Sequence, residues 1–186
     1  MSETTSQDLS GVAETLLIPL YNRAMESQRP DALIKDEKAV ALVTQMRLDF
    51  SRVRQIKMNE LLNSMRIIFT REFDRFSRDF LRRHPDAVVV HIGCGLDSRF
   101  ERVDNGQVEW YDLDLPEVIM LRRRLVPDTE RCTSIGCSVF DDAWLRTVGV
   151  HPTRSFLFLA EGVLPYFEEN QVRGLVLRLA DHFPGA

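Results

Sequence analysis

Val-Val-Val-His-Ile-Gly-Cys-Gly, from Val88 to Gly95, carries the strongest structural signal in the chain. A β-branched run ending in Gly-x-Gly describes a buried parallel strand that turns tightly into a helix. Glycine at 93 and 95 lets the backbone turn, and approach a ligand where a side chain would clash. About twenty residues further on, the spacing of a ribose acid in Rossmann-type domains, a second strand from Val108 to Tyr111 ends in Asp112 and Asp114. A glycine loop followed by such an acid predicts an adenosine-containing cofactor.

The type of cofactor follows from the residues after the turn. A dinucleotide fingerprint places a third glycine at position 98, which is Ser98, and no Gly-x-x-x-x-Gly-Lys-Ser/Thr phosphate loop occurs. The segment Leu96 to Val103 carries Asp97 near a helix start. An acid there would repel a pyrophosphate but tolerate a sulfonium. The balance favours S-adenosylmethionine over NAD(P), with a purely structural turn as the competing explanation of the glycines.

Composition suits one core. The chain has 186 residues, 44% of them hydrophobic, enough for a single well-buried interior. Lys+Arg 24 against Asp+Glu 28 leaves a formal charge of −4, so no basic field points to nucleic acid. Met1 to Ser10 is polar without an apolar signal-peptide core, and no apolar run reaches membrane-spanning length. Cys94, Cys132 and Cys137 are odd in number and lack Cys-x-x-Cys spacing, which suits free thiols in a reducing cytoplasm. His91 and Cys94 are spaced like half of a metal site, but no second pair accompanies them, so no metal is expected.

The first eighty or so residues read as helices. Val12 to Gln28 is periodic, with Pro19 expected to kink or divide it. Ala39, Val40, Leu42, Val43 and Met46 give a second apolar face, and Ser51 is placed to cap a further segment through Leu62. In the helix before the glycine loop, Phe69, Phe73, Phe76 and Phe80 predict a buried stripe. Arg71, Arg75, Arg78 and Arg82 predict a solvated face, supported by the pairs Asp74 with Arg78 and Asp79 with Arg83. From Ala87 onward strands at 88–92, 108–112, 132–137 and 155–160 alternate with helices at 98–103, 116–125, 141–148 and 168–183. That alternation signals α/β with a parallel sheet, whose ligands bind beyond the carboxyl ends of the strands.

Three segments stand in order along the chain: Gly93-Cys94-Gly95-Leu96-Asp97-Ser98-Arg99, Tyr111-Asp112-Leu113-Asp114-Leu115-Pro116 and Ala160-Glu161-Gly162-Val163-Leu164-Pro165-Tyr166. Together they resemble the leucine carboxyl methyltransferase family, in its bacterial branch related to polyketide O-methyltransferases. The resemblance runs from about Val12 to the last residue. It implies a class I methyltransferase fold, with residues 1–86 a helical amino-terminal lid and 87–186 the Rossmann-like core. It implies methyl transfer from S-adenosylmethionine to an oxygen of a small molecule. Gly93 and Gly95 would then face the cofactor, Asp114 would hold its ribose, and Asp112 would cap the loop. Val139 and Phe140 fall where the family packs the adenine, or else are core. Glu161 falls where the family has an acid near the cofactor and acceptor, and Tyr166 where a residue lines the acceptor pocket. His91, His151 and Glu161 are the candidate bases, His91 being read as a core histidine.

Three departures from the family pattern matter. Phe69 stands where relatives carry an arginine for the cofactor carboxylate, leaving Arg71 or Arg66 as substitutes. His91 replaces the usual asparagine. The chain stops at Phe183-Pro184-Gly185-Ala186, where the family continues into a fifth strand and two more. The expectation is a core truncated after its fourth strand, with 155–160 an open apolar edge through which copies of the chain associate. The rival functional readings are a non-catalytic cofactor-binding remnant and an NAD(P)-binding protein.

Overall fold

The strands β1 (Val88–Ile92), β2 (Glu109–Asp114), β3 (Cys132–Gly136) and β4 (Phe156–Leu159) form one parallel sheet in the order β3-β2-β1-β4. The computed structural model describes residues 14–46, 60–151 and 153–184. β1 lies between β2 and β4 and is buried at every residue, which is why its sequence is apolar at every position but His91 rather than alternating. The order runs outward from β1 to β3 on one side and starts afresh with β4 on the other. Beyond the carboxyl ends of β1 and β4 lies the switch point where open α/β sheets hold their ligands.

The helices are α1 (Glu14–Ser27), α2 (Glu37–Met46), α3 (Glu60–Arg83), α4 (Arg99–Val103), α5 (Pro116–Leu125), α6 (Ala143–Val148) and α7 (Glu169–His182). A 3₁₀ turn occupies Leu164–Tyr166. None of the described helices is long and apolar enough to cross a membrane. Backbone contacts group residues 1–72 and 96–102 into one compact unit and residues 73–95 and 103–186 into another. The second half of α3 thus groups with the sheet, and the segment after the glycine loop with the amino-terminal helices.

In the sheet-bearing unit the two faces differ. Val88, Val90, Ile92, Tyr111 and Leu113 form one core with Trp144, Leu145 and Val148 of α6 and Leu175 of α7. Five such residues from the strands point to this face because strand side chains alternate. The opposite face carries His91, Trp110 and Asp112, all buried, and meets α5 through Arg122. β4 is an outer strand of the sheet, paired with β1 among the described residues.

Three expectations are corrected. Helix α1 is continuous across Pro19. Leu20, Arg23 and Ala24 on the following turns are buried, and such burial opposes the proline's helix penalty of about 3 kcal/mol. The phenylalanine stripe of α3 is not core: Phe69 and Phe76 are 52% and 58% exposed, and Phe73 and Phe80 are half-buried. The buried stripe is Ile67, Thr70, Asp74, Ser77 and Leu81, which has the same helical period and smaller side chains. Its polar members are accommodated locally, Ser77 Oγ donating to the Phe73 carbonyl at 2.7 Å. Arg78 pairs with Asp74 at 3.9 Å as expected, but Asp79 pairs with Arg82, while Arg83 Nε donates to the Asp79 carbonyl at 3.2 Å. Ser51 and most of the segment it is expected to cap lie outside the described residues, and the last residues of that segment, 60–62, open α3.

Candidate active site at the carboxyl ends of the strands

The loop after β1 is stapled to the end of β2. Gly93 and Cys94 donate their N–H groups to the Leu113 carbonyl at 2.7 and 3.2 Å. Gly93 and Gly95 have φ of 65° and 50°, the left-handed region that L side chains rarely adopt. At Gly93 a second constraint acts, since a Cβ would lie 2.2 Å from Val163 Cγ2. Val163 follows Glu161 and Gly162 on the loop after β4, so the post-β1 and post-β4 loops meet at the switch point. The glycine at 93 is therefore required by a neighbouring side chain as well as by the turn.

Asp114, at the end of β2, reaches back to the same loop. Its Oδ2 accepts the Gly95 N–H at 2.8 Å, and its Oδ1 accepts the Leu115 N–H at 2.8 Å. Burial pushes its carboxyl up from the ordinary carboxylate range, with the two amide donors partly opposing the shift. Each oxygen keeps a further lone pair. A half-buried carboxylate of this kind, at the mouth of the glycine loop, fits the hydroxyls of a ribose.

Asp112, read as a loop cap, has another role. It is buried, accepts the Trp110 Nε1–H at 2.9 Å, and forms an ion pair with Arg122 of α5. Arg122 in turn donates to the Gly95 carbonyl at 3.1 Å. Burial raises the Asp112 carboxyl pKa, but the Arg122 charge and neighbouring donors outweigh it and hold the group at about 2. Arg122 is the functional candidate that the sequence did not single out. A signal was present, since position 122 lies on the buried stripe with Ile119 and Leu125, where an arginine needs a partner.

The other candidate residues are placed as follows. Val139 is part of the apolar core, and its carbonyl accepts the Trp144 Nε1–H at 3.0 Å. Phe140 is half-buried, with its ring edge-on to Phe167 at 4.8 Å and its carbonyl accepting from Arg178 at 2.5 Å. Glu161 is half-buried directly after β4, and Tyr166 is 72% exposed in the 3₁₀ turn. His91 is buried, edge-on to Trp110, with Nδ1 3.5 Å from Asp112 Oδ1. His151 is removed from the list of bases: its Nε2 lies 3.0 Å from Glu109 at the start of β2, the amino end of the sheet.

In the other compact unit, Arg71 is half-buried and pairs with Glu72 at 3.1 Å. The segment after the glycine loop belongs to this unit and is tied down by charge. Asp36 accepts from Arg23 at 2.9 Å, Arg102 at 2.7 Å and Ser98 Oγ at 2.7 Å, and caps α2 through the Ala39 N–H at 2.8 Å. Asp97 accepts from Arg102 at 2.9 Å and lies 3.3 Å from Arg99 and 3.6 Å from Arg23. Its charge is thus compensated, and the argument that Asp97 would repel a pyrophosphate loses its force. Ser98 is fully buried and committed to Asp36, which explains why a third glycine is not needed there.

A β3-β2-β1-β4 parallel sheet, a left-handed glycine loop after β1 and an acid after β2 define the Rossmann-like fold of class I methyltransferases. A model described as leucine carboxyl methyltransferase matches residues 17–180, and the chain belongs to that family. It is 40% identical over 177 residues to the tetracenomycin polyketide synthesis O-methyltransferase TcmP of Streptomyces glaucescens, covering 95% of this chain and 64% of that protein. It is 33% identical over 187 residues to the S-adenosyl-L-methionine-dependent methyltransferase dpfgK of Gibberella zeae, covering 94% of this chain and 62% of that protein. The chain therefore spans a little under two thirds of the length of these relatives.

Proposed function

We propose that this chain is the S-adenosylmethionine-binding part of an O-methyltransferase whose acceptor is a carboxyl or hydroxyl oxygen of a small, polyketide-like molecule. The observation that carries the proposal is the Gly95 N–H to Asp114 hydrogen bond at the switch point of the sheet, within a chain of this family. In this role Asp114 accepts from the ribose hydroxyls, and Gly93 and Gly95 leave room for the cofactor's methionine and ribose portions. Phe140 borders the adenine, backed by Val139 in the core, and Arg71 takes the carboxylate that Phe69 cannot hold.

When bound, S-adenosylmethionine supplies an activated methyl group, with the acceptor oxygen bonding to carbon as the carbon–sulfur bond breaks. The protein's task is then mainly to align acceptor and methyl, which contributes most of the rate. A carboxylate acceptor needs no base, whereas a hydroxyl needs its proton taken up. Glu161 is the group we assign to that task, with Tyr166 lining the acceptor pocket. Transfer of labelled methyl from S-adenosylmethionine to a panel of small phenols and carboxylic acids tests the proposal. Binding of the cofactor with no transfer to any acceptor would favour the non-catalytic reading, which Phe69 supports. NAD binding instead would favour the dinucleotide reading.

Cys94, Cys132 and Cys137 form no disulfide, which fits a reducing cytoplasm. The partner we assign besides the acceptor is a second copy of this chain, paired through β4. The strand reads Phe-Leu-Phe-Leu, without charge, and an uncharged outer strand is a template for pairing. Sedimentation of the 186-residue chain should show a dimer or larger species, and a monomer at all concentrations would contradict that assignment.

A further inference from the structure

Arg122 and Asp112 form an ion pair in which both side chains are almost fully buried. Removing a guanidinium and a carboxylate from water is costly, and apolar residues of similar size often give an equal or more stable core. Stability alone is therefore a poor account of the pair. What distinguishes it is the third group it holds: Arg122 Nη1 donates to the Gly95 carbonyl at 3.1 Å while Nη2 is held by Asp112. Asp112 is itself fixed from below by the Trp110 indole N–H at 2.9 Å.

Gly95 is consequently gripped at both of its backbone polar groups. Its N–H goes to Asp114 and its carbonyl to Arg122. Both anchors come from the same stretch of chain, the end of β2 and the helix α5 that follows it. A glycine at φ 50° has little intrinsic preference for one orientation, so the two external bonds set it. Asp112 and Arg122 do not themselves line the mouth of the loop, where Asp114 lies.

We infer that Arg122, held by Asp112, is a positioning residue that fixes the Gly95 peptide in the conformation the cofactor recognises. This rests on the S-adenosylmethionine reading of the glycine loop. The contribution is preorganisation: a loop already in its bound conformation avoids the ordering cost on binding. The planar fork of arginine places one nitrogen on the carboxylate and the other on the carbonyl, a spacing that the single ammonium nitrogen of lysine does not match.

The test uses the 186-residue chain and S-adenosylhomocysteine as the probe, with calorimetric affinity and thermal unfolding measured on each variant. Arg122→Lys keeps the charge opposite Asp112 and removes the fork. Affinity should fall about tenfold or more, and the Gly95 amide should exchange faster with solvent even without ligand, while that of Gly106 in a distant turn is unchanged. The double variant Asp112→Leu/Arg122→Met replaces the pair with an apolar one and guards against simple misfolding. It should recover the melting temperature but not the affinity. Wild-type affinity in a folded Arg122→Lys or double variant would overturn the inference. Failure of the wild-type chain to bind either S-adenosylhomocysteine or S-adenosylmethionine would instead overturn the cofactor reading itself, so the two failures are distinguishable.

Discussion

Asp114 Oδ2 and the Gly95 amide, 19 positions apart in sequence, are joined by a 2.8 Å hydrogen bond that closes the end of β2 onto the loop after β1. The bond makes two separate motifs into one device, because the loop orients the acid and the acid orients the loop. Replacing Asp114 by Ala removes the charged acceptor of the Gly95 amide and, in its proposed role, that of the ribose hydroxyls. A charged hydrogen bond contributes about 1.5–3 kcal/mol. The Asp114→Ala chain should therefore bind S-adenosylhomocysteine at least about tenfold more weakly, one decade being about 1.4 kcal/mol. Unchanged calorimetric affinity in a folded variant would remove Asp114 from the site.

Gly93 and Val163 form a steric pair. Gly93→Ala places a Cβ 2.2 Å from Val163 Cγ2 and also forces a side chain into the left-handed region at φ 65°. The conformational part alone costs about 1–2 kcal/mol. Adding Val163→Ala should relieve the contact and return only part of the lost stability. Denaturant unfolding of both single variants and the double variant measures the split. Strict additivity of the two losses would show that Gly93 and Val163 do not meet.

Acid should find the buried ion pair. Asp112 has a folded-state pKa of about 2, below the roughly 3.9 of an unfolded aspartate. A depressed carboxylate contributes stability that is present above its unfolded pKa and is lost as pH falls through its folded pKa. The window is about pH 4 down to pH 2, and the size is about 2.6 kcal/mol at 1.36 kcal/mol per unit. Urea unfolding of the wild type across that range should lose this component, and Asp112→Asn should lack it. Parallel stability curves for the two proteins would contradict the assignment.

Much of this was legible in the sequence, for identifiable reasons. The strand at Val88–Ile92 was found at its observed bounds because a central parallel strand is buried on both faces and is apolar here at every position but His91. The second strand runs two residues past its expected end, since Leu113 and Asp114 pair with Ile135 and Gly136 of β3, a register that sequence does not display. The α3 helix offered two stripes of the same period, and hydrophobicity favoured the phenylalanines. The fold buries Thr70, Asp74 and Ser77 instead, where side-chain size and local hydrogen bonds decide. Asp112 was misjudged because its partner Arg122 comes from the following helix. His151 was recoverable, for a residue preceding a parallel strand lies at the end away from the ligand cleft. Asp97 looked like an isolated charge because Arg23, one of the groups that compensate it, sits 74 positions away by residue number.

The most direct measurement is a calorimetric titration of the 186-residue chain with S-adenosylhomocysteine, S-adenosylmethionine and NAD in turn. A glycine loop built around Gly93 and Gly95, gripped by Asp114 and serving a sulfonium cofactor, predicts saturable one-site binding of the first two and no heat with NAD. Binding of NAD without S-adenosylhomocysteine, or silence with all three from a folded chain, would contradict it.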